Sequence, residues 1–532
     1  MLMGSRAHPF RGPHFHGFAS NTACILDATG ASTAPNRYYV RALTERSIVA
    51  DVLRYVPAQM LPAAAGFLLV TILTRLLTVE QYGVYALAAT TVAVLSSLAD
   101  GWVSNSVLRF LANAEETGRA SQVLRSGVLY VLGSDALVLA AAGLVGTFIY
   151  RGLPLDWLTF ASFVAVLAVA ASLTDTGQAA LRAQTRVWAY GAFNAGRAFG
   201  RLAASALGAV VLPNALIGAL LGWAASAWLI ALSIGVAFRS RLRADIAPPQ
   251  VSQAWFKTFM TYGAPVSLSL LLNVVLAEAD RFLLQGFSGT HAVGIYSAVY
   301  QIANGAVIPS SLIMAATFPI FSRLYDRPDG RAQVAILMPG VIRLFLVVAV
   351  PVMVGLAVVS RPLLDLLTPR SYAVHSGLML PVLAGVFFLG IGQYTTLGLL
   401  LAKRSELLMA VLAAAACSNV LLNLIMIPQL GMSGAAFATL VAYVVYACSG
   451  AVVGRRFLRF TVPVRSVARI FAAAASMALV AFAVGQVMGA STLSLAAAIL
   501  CGAAAYGAVL LLAGEFTTAI RPGRLPLVRR PS

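Results

Sequence analysis

Seven arginines lie inside the long apolar segments of the chain, where ionisable side chains are costly and usually serve a function. Arg197 and Arg201 are four residues apart, so they share one face of a helix. Two guanidinium groups on one face repel each other, and inside a membrane they need water or an anion beside them. Because a planar guanidinium binds two phosphate oxygens at once, the pair predicts an anion-binding face. The structural alternative is that both side chains extend to the nearer membrane surface.

Arg75 and Arg281 occupy related positions in a candidate internal repeat. Each precedes a pattern of Gly, a β-branched residue, Tyr and a small residue, found at 83–86 and again at 294–297. The offset of about 210 residues, with a longer loop in the second copy, equals six apolar segments and predicts a parallel repeat. We therefore expect both arginines near the outer face, facing each other across the axis between two halves. They contribute there either to a substrate cavity or to an ion-pair network.

Acidic residues also lie inside the apolar segments. Buried carboxylates can take up protons and so couple transport to an ion gradient, or they can neutralise arginines. Two of them lie beside Arg281 in the sequence and could pair with it, whereas the other three have no partner that the sequence identifies. The possible coupling or ion-pair acids are Asp100, Asp135, Asp175, Glu278 and Asp280.

The remaining basic residues show how the segments cross a membrane. Polar breaks divide the chain into 14 apolar segments, each close to the roughly 20 residues that span a bilayer. Of the 37 Lys and Arg residues, 27 fall in the tails and even-numbered loops and three in the odd-numbered loops. This asymmetry predicts about 14 transmembrane helices with both termini in the cytoplasm. Arg109 and Arg469 lie near that face, where snorkelling explains them, and the role of Arg343 stays open.

The basic breaks also divide the chain into domains. The long break around Pro248-Pro249 is the best candidate for a linker between two halves. The predicted divisions are a disordered cytoplasmic tail (1–47), an N-terminal six-helix lobe (48–238), a cytoplasmic linker (239–260), a C-terminal six-helix lobe (261–453), helices 13 and 14 (454–513) and a basic cytoplasmic tail (514–532).

Composition and missing motifs exclude several functions. Hydrophobic residues make up 60% of the chain and charged residues 10%, which is far from the composition of a soluble protein. The net charge of +19 follows loop parity and forms no basic domain, so we expect no nucleic-acid partner. The four cysteines form no Cys-x-x-Cys pair, and the sequence contains neither a phosphate-binding glycine loop nor a nucleophile motif. We therefore expect no metal, no cofactor and no catalytic residues.

Phrases in both halves resemble one membrane transporter family. In the first half, 73–77 and 82–85 are similar to its N-terminal signature; in the second, Asp280-Arg281 with 294–297 and Thr317-Phe318-Pro319 are similar to its segments seven and eight. The stretch 419–436 resembles its C-terminal signature. Over about residues 48–513 the chain thus resembles the polysaccharide transporter family, the Wzx-type flippases of the multidrug/oligosaccharidyl-lipid/polysaccharide exporter superfamily. The peptidoglycan-precursor flippases of that superfamily carry further arginines near the first helix, where this chain has only Arg54.

The resemblance implies an all-α integral membrane fold of two six-helix lobes plus a terminal helix pair, working by alternating access. It also implies a substrate, an oligosaccharide linked to undecaprenyl diphosphate, and a place in the bacterial inner membrane. Membrane lipids surround such a protein, and a polysaccharide polymerase and export machinery act with it. A cationic cavity suits the diphosphate, and the candidate substrate-binding residues are Arg75, Arg197, Arg201 and Arg281.

The favoured prediction is a flippase for the biosynthesis of surface polysaccharide, such as exopolysaccharide, capsule or lipopolysaccharide O-antigen. The alternative is a cation-coupled exporter of small molecules, which buried acids without buried arginines would favour. A membrane polymerase or glycosyltransferase is disfavoured because it needs a large outer loop, and the longest predicted outer loop covers only 360–375.

Overall fold

The computed structural model describes residues 45–149, 155–243, 253–489 and 491–515, and every regular element in these ranges is a helix. Most of both predicted tails (1–44 and 516–532) and the middle of the predicted linker (244–252) lie outside these ranges. The first part contains α1 (Glu45–Leu76), α2 (Val79–Glu116), α3 (Ala120–Ile149), α4 (Trp157–Ala183), α5 (Val187–Val211) and α6 (Ala215–Arg243). The second contains α7 (Gln253–Asn304), α8 (Ile308–Tyr325), α9 (Gly330–Val358), α10 (Ser360–Leu367), α11 (Arg370–Ala373), α12 (Met379–Thr395), α13 (Leu397–Leu401), α14 (Ser405–Leu430), α15 (Met432–Gly454), α16 (Val464–Met488) and α17 (Thr492–Leu512).

The apolar helices identify a multi-pass membrane protein. Eleven helical stretches among the described residues are long and apolar enough to cross a bilayer. One of them, Trp255–Tyr325, has 71 residues and is interrupted at Gly289, so it is far too long for a single crossing. The predicted all-α membrane fold is therefore confirmed. The count of 14 crossings, the cytoplasmic placement of the termini and the domain boundaries stay predictions.

The helix breaks before the two repeat motifs have the same spacing. In the first copy, Thr78 caps α2: its hydroxyl accepts from the Gln81 amide, and the Gln81 side chain accepts from the Thr78 amide, at 3.2 and 3.0 Å. In the second copy the break is one residue, Gly289, whose φ of 77° and ψ of 176° suit glycine alone. Gly83 and Gly294 each lie five residues beyond the break. The spacing from break to glycine is thus the same in both copies. The additional residues of the second copy lie in the helix before Gly289, so the prediction of a longer second loop is wrong.

This equal spacing changes which residues correspond in the two copies. An offset of 211 residues, taken from Gly83 and Gly294, relates Arg75 to Gly286 and not to Arg281. The two arginines are therefore not repeat partners in the structure. Sequence comparison paired them because a gap can be placed freely in a loop, whereas a continuous helix up to Gly289 leaves no room for one.

Gly83 and Gly294 contact each other across the boundary between the repeats. A Cβ added to Gly83 would overlap the carbonyl oxygen of Thr290, and a Cβ added to Gly294 would overlap that of Val79. Each carbonyl belongs to the residue four positions before the opposite glycine, so the contact is reciprocal. Such reciprocity is expected when a two-fold pseudosymmetry axis passes between two parallel repeats. It supports the internal duplication independently of sequence similarity.

We expect Gly83→Val to destabilise the folded protein, because the added side chain must displace backbone of α7 rather than a flexible side chain. A loss of about 2 kcal/mol or more is the expected scale for such overpacking. The matched control is Gly133→Val on α3, where an added Cβ meets nothing within 4 Å. Thermal unfolding of both purified variants in detergent tests this; equal melting temperatures would contradict the close α2–α7 contact.

α2 and α7 also contact each other further along their lengths. The Thr90 hydroxyl donates to Glu278 at 2.8 Å, and the Ser106 hydroxyl donates to the Phe259 carbonyl at 3.2 Å. We call this row of contacts, with Gly83–Gly294, the α2–α7 seam. The α2–α7 seam is therefore closed from near the start of α2 as far as Ser106.

The terminal helices α16 and α17 are joined to α9 by a buried carboxylate. Glu515, just beyond α17, lies 2.7 Å from Arg343 Nε and 3.2 Å from Arg469 Nη1. Burial alone would raise the pKa of Glu515, but hydrogen bonds from Ser466 and Arg469 and the charges of Arg343 and Arg469 hold it below its ordinary value. Glu515 is therefore ionised at neutral pH, and both arginines have an ion-pair partner. Because Arg343, Arg469 and Glu515 lie far apart in the sequence, no sequence pattern indicated that they form ion pairs.

Candidate functional site

Arg201 lies on α5 and is held by two aromatic residues from other helices. Its Nε donates to the Tyr85 hydroxyl on α2 at 2.9 Å, and this hydroxyl lies 3.1 Å from the Ser205 hydroxyl. The guanidinium carbon lies 3.8 Å from the ring centre of Trp223 on α6 and 5.1 Å from that of Tyr85. Cation–π contacts of this kind favour the charged form and fix the plane of the guanidinium.

No carboxylate of the described residues forms an ion pair with Arg201. Its two terminal nitrogens make no hydrogen bond to those residues either. Arg197 and Arg201 both line a small cavity of about 50 Å³ inside the first lobe, together with Trp223 and Ser226. A cation with free donors next to a cavity has the chemistry to bind an anion, because both remaining nitrogens can donate to oxygen atoms.

Arg197 shares the cavity but has a counter-charge. Its Nη1 lies 2.5 Å from Asp175 Oδ1 on α4, and the two side chains are 42% and 34% exposed. As the spacing predicted, both arginines lie on the same side of α5. The pair is unequal, however, because Arg197 is neutralised and Arg201 is not.

Two further acids lie in the first lobe. Asp100 on α2 is buried and lies within electrostatic reach of Arg197, Asp175 and Asp135. Asp135 Oδ1 accepts a hydrogen bond from the Ser172 hydroxyl at 2.9 Å, whereas its Oδ2 is buried without a partner among the described residues. The first lobe thus places two carboxylates near Arg197 and a third near Asp100.

Arg281 is buried in the second lobe and is engaged in ion pairs. Its Nη1 lies 2.6 Å from Glu278 and 3.5 Å from Asp280, and its guanidinium carbon lies 4.7 Å from the centre of the Tyr300 ring. Glu278 also accepts the hydrogen bond from Thr90 across the seam. The sequence left two alternatives open for Arg281, a substrate cavity and an ion-pair network. The contacts of its side chain form an ion-pair network.

Asp280 continues this network through polar residues of α14 and α15. Its Oδ2 accepts from the Tyr296 hydroxyl at 2.5 Å and from the Thr439 hydroxyl at 3.4 Å. Asn419 donates to Thr439 at 3.4 Å, and Asn423 donates to Asn419 at 3.0 Å. The asparagines of the sequence stretch 419–436 therefore support a buried acid, a role that its resemblance to a family signature did not indicate.

Arg75 is placed away from these networks. It is exposed at the end of α1, and its Nη2 donates to the Leu366 carbonyl of α10 at 2.6 Å. Nearby, Tyr82 of α2 packs edge-on against Tyr372 of α11, with ring centres 6.2 Å apart. The predicted outer loop 360–375 thus contains two short helices that contact the first repeat.

Arg201 and Arg281 are brought close to the same part of α2. Tyr82 lies within electrostatic reach of both guanidinium groups, and Tyr85, one turn further, binds Arg201 directly. The equivalent tyrosine of the second repeat, Tyr296, binds Asp280 instead. The repeated tyrosine therefore contacts a cation in one lobe and an anion in the other. The occurrence of this tyrosine in both repeat motifs was the sequence feature that could have indicated its role. No sequence feature indicated a role for Trp223.

Comparison with known proteins identifies the family. Residues 48–325, more than half of the chain, match the family model described as "Polysaccharide biosynthesis protein". The chain belongs to this family. The match includes α2 to α8 in full, and it ends before the stretch 419–436.

Two curated relatives are similar over part of the chain. One is named probable flippase AglR, from Haloferax volcanii, with 29% identity over 246 residues, which are 44% of this chain and 49% of the relative. The other is teichuronic acid biosynthesis protein TuaB from Bacillus subtilis, with 27% identity over 150 residues, 27% of this chain and 30% of the relative. The aligned region thus spans half or less of either relative's length.

Solved structures show the same fold over most of the chain. "Lipid II flippase MurJ, inward closed conformation" has a TM-score of 0.70 at 13% identity, covering 88% of this chain and 100% of that one. An inward-facing multidrug resistance MATE transporter of the MOP superfamily has a TM-score of 0.59 at 14% identity, covering 75% and 94%. At these identities the likeness concerns the fold alone. The family match and the fold together make this chain a multi-pass membrane protein of the polysaccharide biosynthesis family.

Proposed function

We propose that this protein moves an oligosaccharide linked to a polyprenyl diphosphate, of the undecaprenyl type, across the bacterial inner membrane by alternating access. The observation that carries the proposal is Arg201, a guanidinium inside a membrane lobe with two free nitrogens and no carboxylate partner among the described residues. Holding an uncompensated charge inside a membrane is costly, and an anionic cargo would compensate it.

The closed structure must open before it binds this cargo. A cavity of about 50 Å³ has room for a water molecule or two, but not for a diphosphate head group. Separation at one end of the α2–α7 seam moves Tyr85, which holds Arg201, and so links opening to the arginine. We propose Arg201 as the main diphosphate ligand, with Arg197 joining it when Asp175 is neutralised. Arg281 serves mainly the ion-pair network beside the seam, and Arg75 serves contacts at the outer surface.

The carboxylates of the first lobe are the proposed coupling groups. Asp100 and Asp175 lie close to Arg197, and Asp135 lies within electrostatic reach of Asp100, so a fully ionised cluster would carry excess negative charge inside the membrane. Taking up a proton removes that excess, and releasing Asp175 from Arg197 frees a second cation for the cargo. Glu278 and Asp280, by contrast, are proposed to act as ion-pair partners of Arg281.

Transport in proteoliposomes tests this function. The purified protein is reconstituted with an undecaprenyl-diphosphate-linked trisaccharide, and the fraction of lipid accessible to an added glycosidase is followed with and without a proton gradient. We expect exposure of the inner-leaflet lipid to exceed that of protein-free liposomes and to depend on the gradient. A native protein that instead accumulates a cationic dye without moving the lipid would support the multidrug alternative and reject the proposal.

The proposed location in the inner membrane predicts the order in which other enzymes act on the lipid-linked oligosaccharide. The lipid-linked unit must be completed by glycosyltransferases before translocation and consumed by a polymerase or ligase afterwards. In the source organism, deletion should therefore stop polysaccharide export and cause lipid-linked oligosaccharide to accumulate.

A further inference from the structure

The second lobe contains a cavity of about 420 Å³ that is separate from the arginine site. Its walls come from α7, α8, α12, α14, α15 and the turn around α13, and its volume lies in the usual range for small-ligand sites. Pro319 and Leu400 at its edge lie within four residues of Arg323 and Lys403, so the cavity lies toward the predicted cytoplasmic side. That is the side on which a lipid-linked oligosaccharide is made.

The residues that line this cavity are uncharged, but several are polar. Gln393 Oε1 accepts from the Ser310 hydroxyl at 2.9 Å, which leaves its amide N–H groups as donors. Asn273 donates to the Ser269 carbonyl at 2.8 Å, which leaves its amide oxygen as an acceptor.

A third polar group is the buried Tyr446 hydroxyl. The Thr396 hydroxyl donates to the Gly392 carbonyl at 2.8 Å, so its 3.2 Å contact with Tyr446 must use the tyrosine proton. The oxygen of Tyr446 therefore keeps acceptor capacity. The cavity thus presents a donor group, two acceptors and the Ser311 hydroxyl on otherwise apolar walls that include Met314, Phe318 and Leu412.

This combination restricts the chemistry of the occupant. A polyprenyl chain would leave the polar groups without hydrogen bonds, which costs about 1–3 kcal/mol for each group. A diphosphate would find no cation among the lining residues. A neutral sugar satisfies both requirements, because its hydroxyls donate and accept while its C–H faces pack on apolar and aromatic side chains.

We infer that this cavity of the second lobe is the binding site for an uncharged sugar of the cargo. The inference rests on the proposed flippase function and refines it. The diphosphate binds in the first lobe at Arg201, and a neutral sugar of the same cargo binds in the second lobe. A cargo held by both lobes would bias their relative arrangement, and it would exclude lipids with an acidic sugar at this position.

Binding to the full-length protein in nanodiscs tests the inference. The probes are undecaprenyl diphosphate carrying one glucose and the same lipid without sugar. Met314→Trp fills the cavity, Gln393→Ala removes its donor, and Leu421→Trp, at a 60% exposed position of α14, is the matched control. We expect the Kd of the glucosylated lipid to rise about tenfold in both cavity variants, with the bare lipid changed less than about twofold. The control should bind both lipids as the native protein does.

Each other outcome overturns the inference in a different way. Equal weakening for both lipids would place the lipid or diphosphate in the cavity, and no weakening would mean that the cavity has no part in binding. A native protein that binds neither lipid would reject the flippase function as well. As a second variant, Gln393→Lys should improve binding of the same lipid carrying glucuronic acid relative to glucose about tenfold. An unchanged ratio would also count against the site.

Discussion

Arg201→Ala should reduce translocation of the lipid-linked trisaccharide at least about tenfold while the protein still inserts and folds. A hydrogen bond to a charged group contributes about 1.5–3 kcal/mol, so losing a bidentate contact to the diphosphate accounts for a change of this size. Arg201→Lys keeps the charge but loses the planar fork, and it should retain partial activity. Initial rates in proteoliposomes and the Kd of bare undecaprenyl diphosphate are the two measurements.

Two controls separate this effect from damage to the fold. Arg201 also packs between Trp223 and Tyr85, so each variant must keep its melting temperature within a few degrees of the native value. Arg119→Ala removes an exposed arginine from the turn between α2 and α3 and should leave the rate unchanged. A native rate for Arg201→Ala would show that the diphosphate binds elsewhere.

The structure also predicts a role for Tyr85 that depends on Arg201. The Tyr85 hydroxyl accepts one hydrogen bond from the Arg201 guanidinium, and its other partner, the Ser205 hydroxyl, is uncharged. Removing its hydroxyl therefore changes the orientation of Arg201 without changing the charge of the site. This dependence gives the tyrosine of the first repeat motif, near the start of α2, a role in holding Arg201.

Sequence reasoning reached the features that are local to one helix. The i, i+4 spacing placed Arg197 and Arg201 on one cavity, and the adjacency of Glu278 and Asp280 to Arg281 indicated their ion pairs. The apolar segments gave the fold class and most of the helix positions, since hydropathy alone decides which segments enter a membrane.

Contacts between distant helices were not accessible in the same way. The aromatic residues around Arg201 lie at 85 and 223, and the carboxylate that binds Arg343 and Arg469 lies at 515. No spacing rule connects such positions. The register of the repeat was misjudged for a related reason, because only the structure shows that α7 continues to Gly289 before it breaks.

Arg281→Ala should destabilise the protein far more than Arg201→Ala does. The substitution leaves Glu278 and the buried Asp280 without their counter-charge, and breaking a buried ion pair by removing one partner costs about 3–5 kcal/mol. We expect a lower melting temperature and little inserted protein. The matched control is Arg404→Ala. The side chains of Arg404 and its ion-pair partner Glu406 are both more than half exposed, so losing this pair should cost less than about 1 kcal/mol.

The combined variant Glu278→Gln, Asp280→Asn, Arg281→Gln distinguishes the two possible roles of this arginine. Replacing the whole network with neutral groups of similar shape removes the unpaired charges, so stability should recover to near the native value. If Arg281 serves only the ion pairs beside the seam, this variant should also translocate lipid within about threefold of the native rate, because Arg201 still binds the diphosphate. A stable variant that binds the lipid but does not move it would instead assign the charge of Arg281 to the opening of the α2–α7 seam. A stable variant that no longer binds bare undecaprenyl diphosphate would place Arg281 beside Arg201 as a direct ligand.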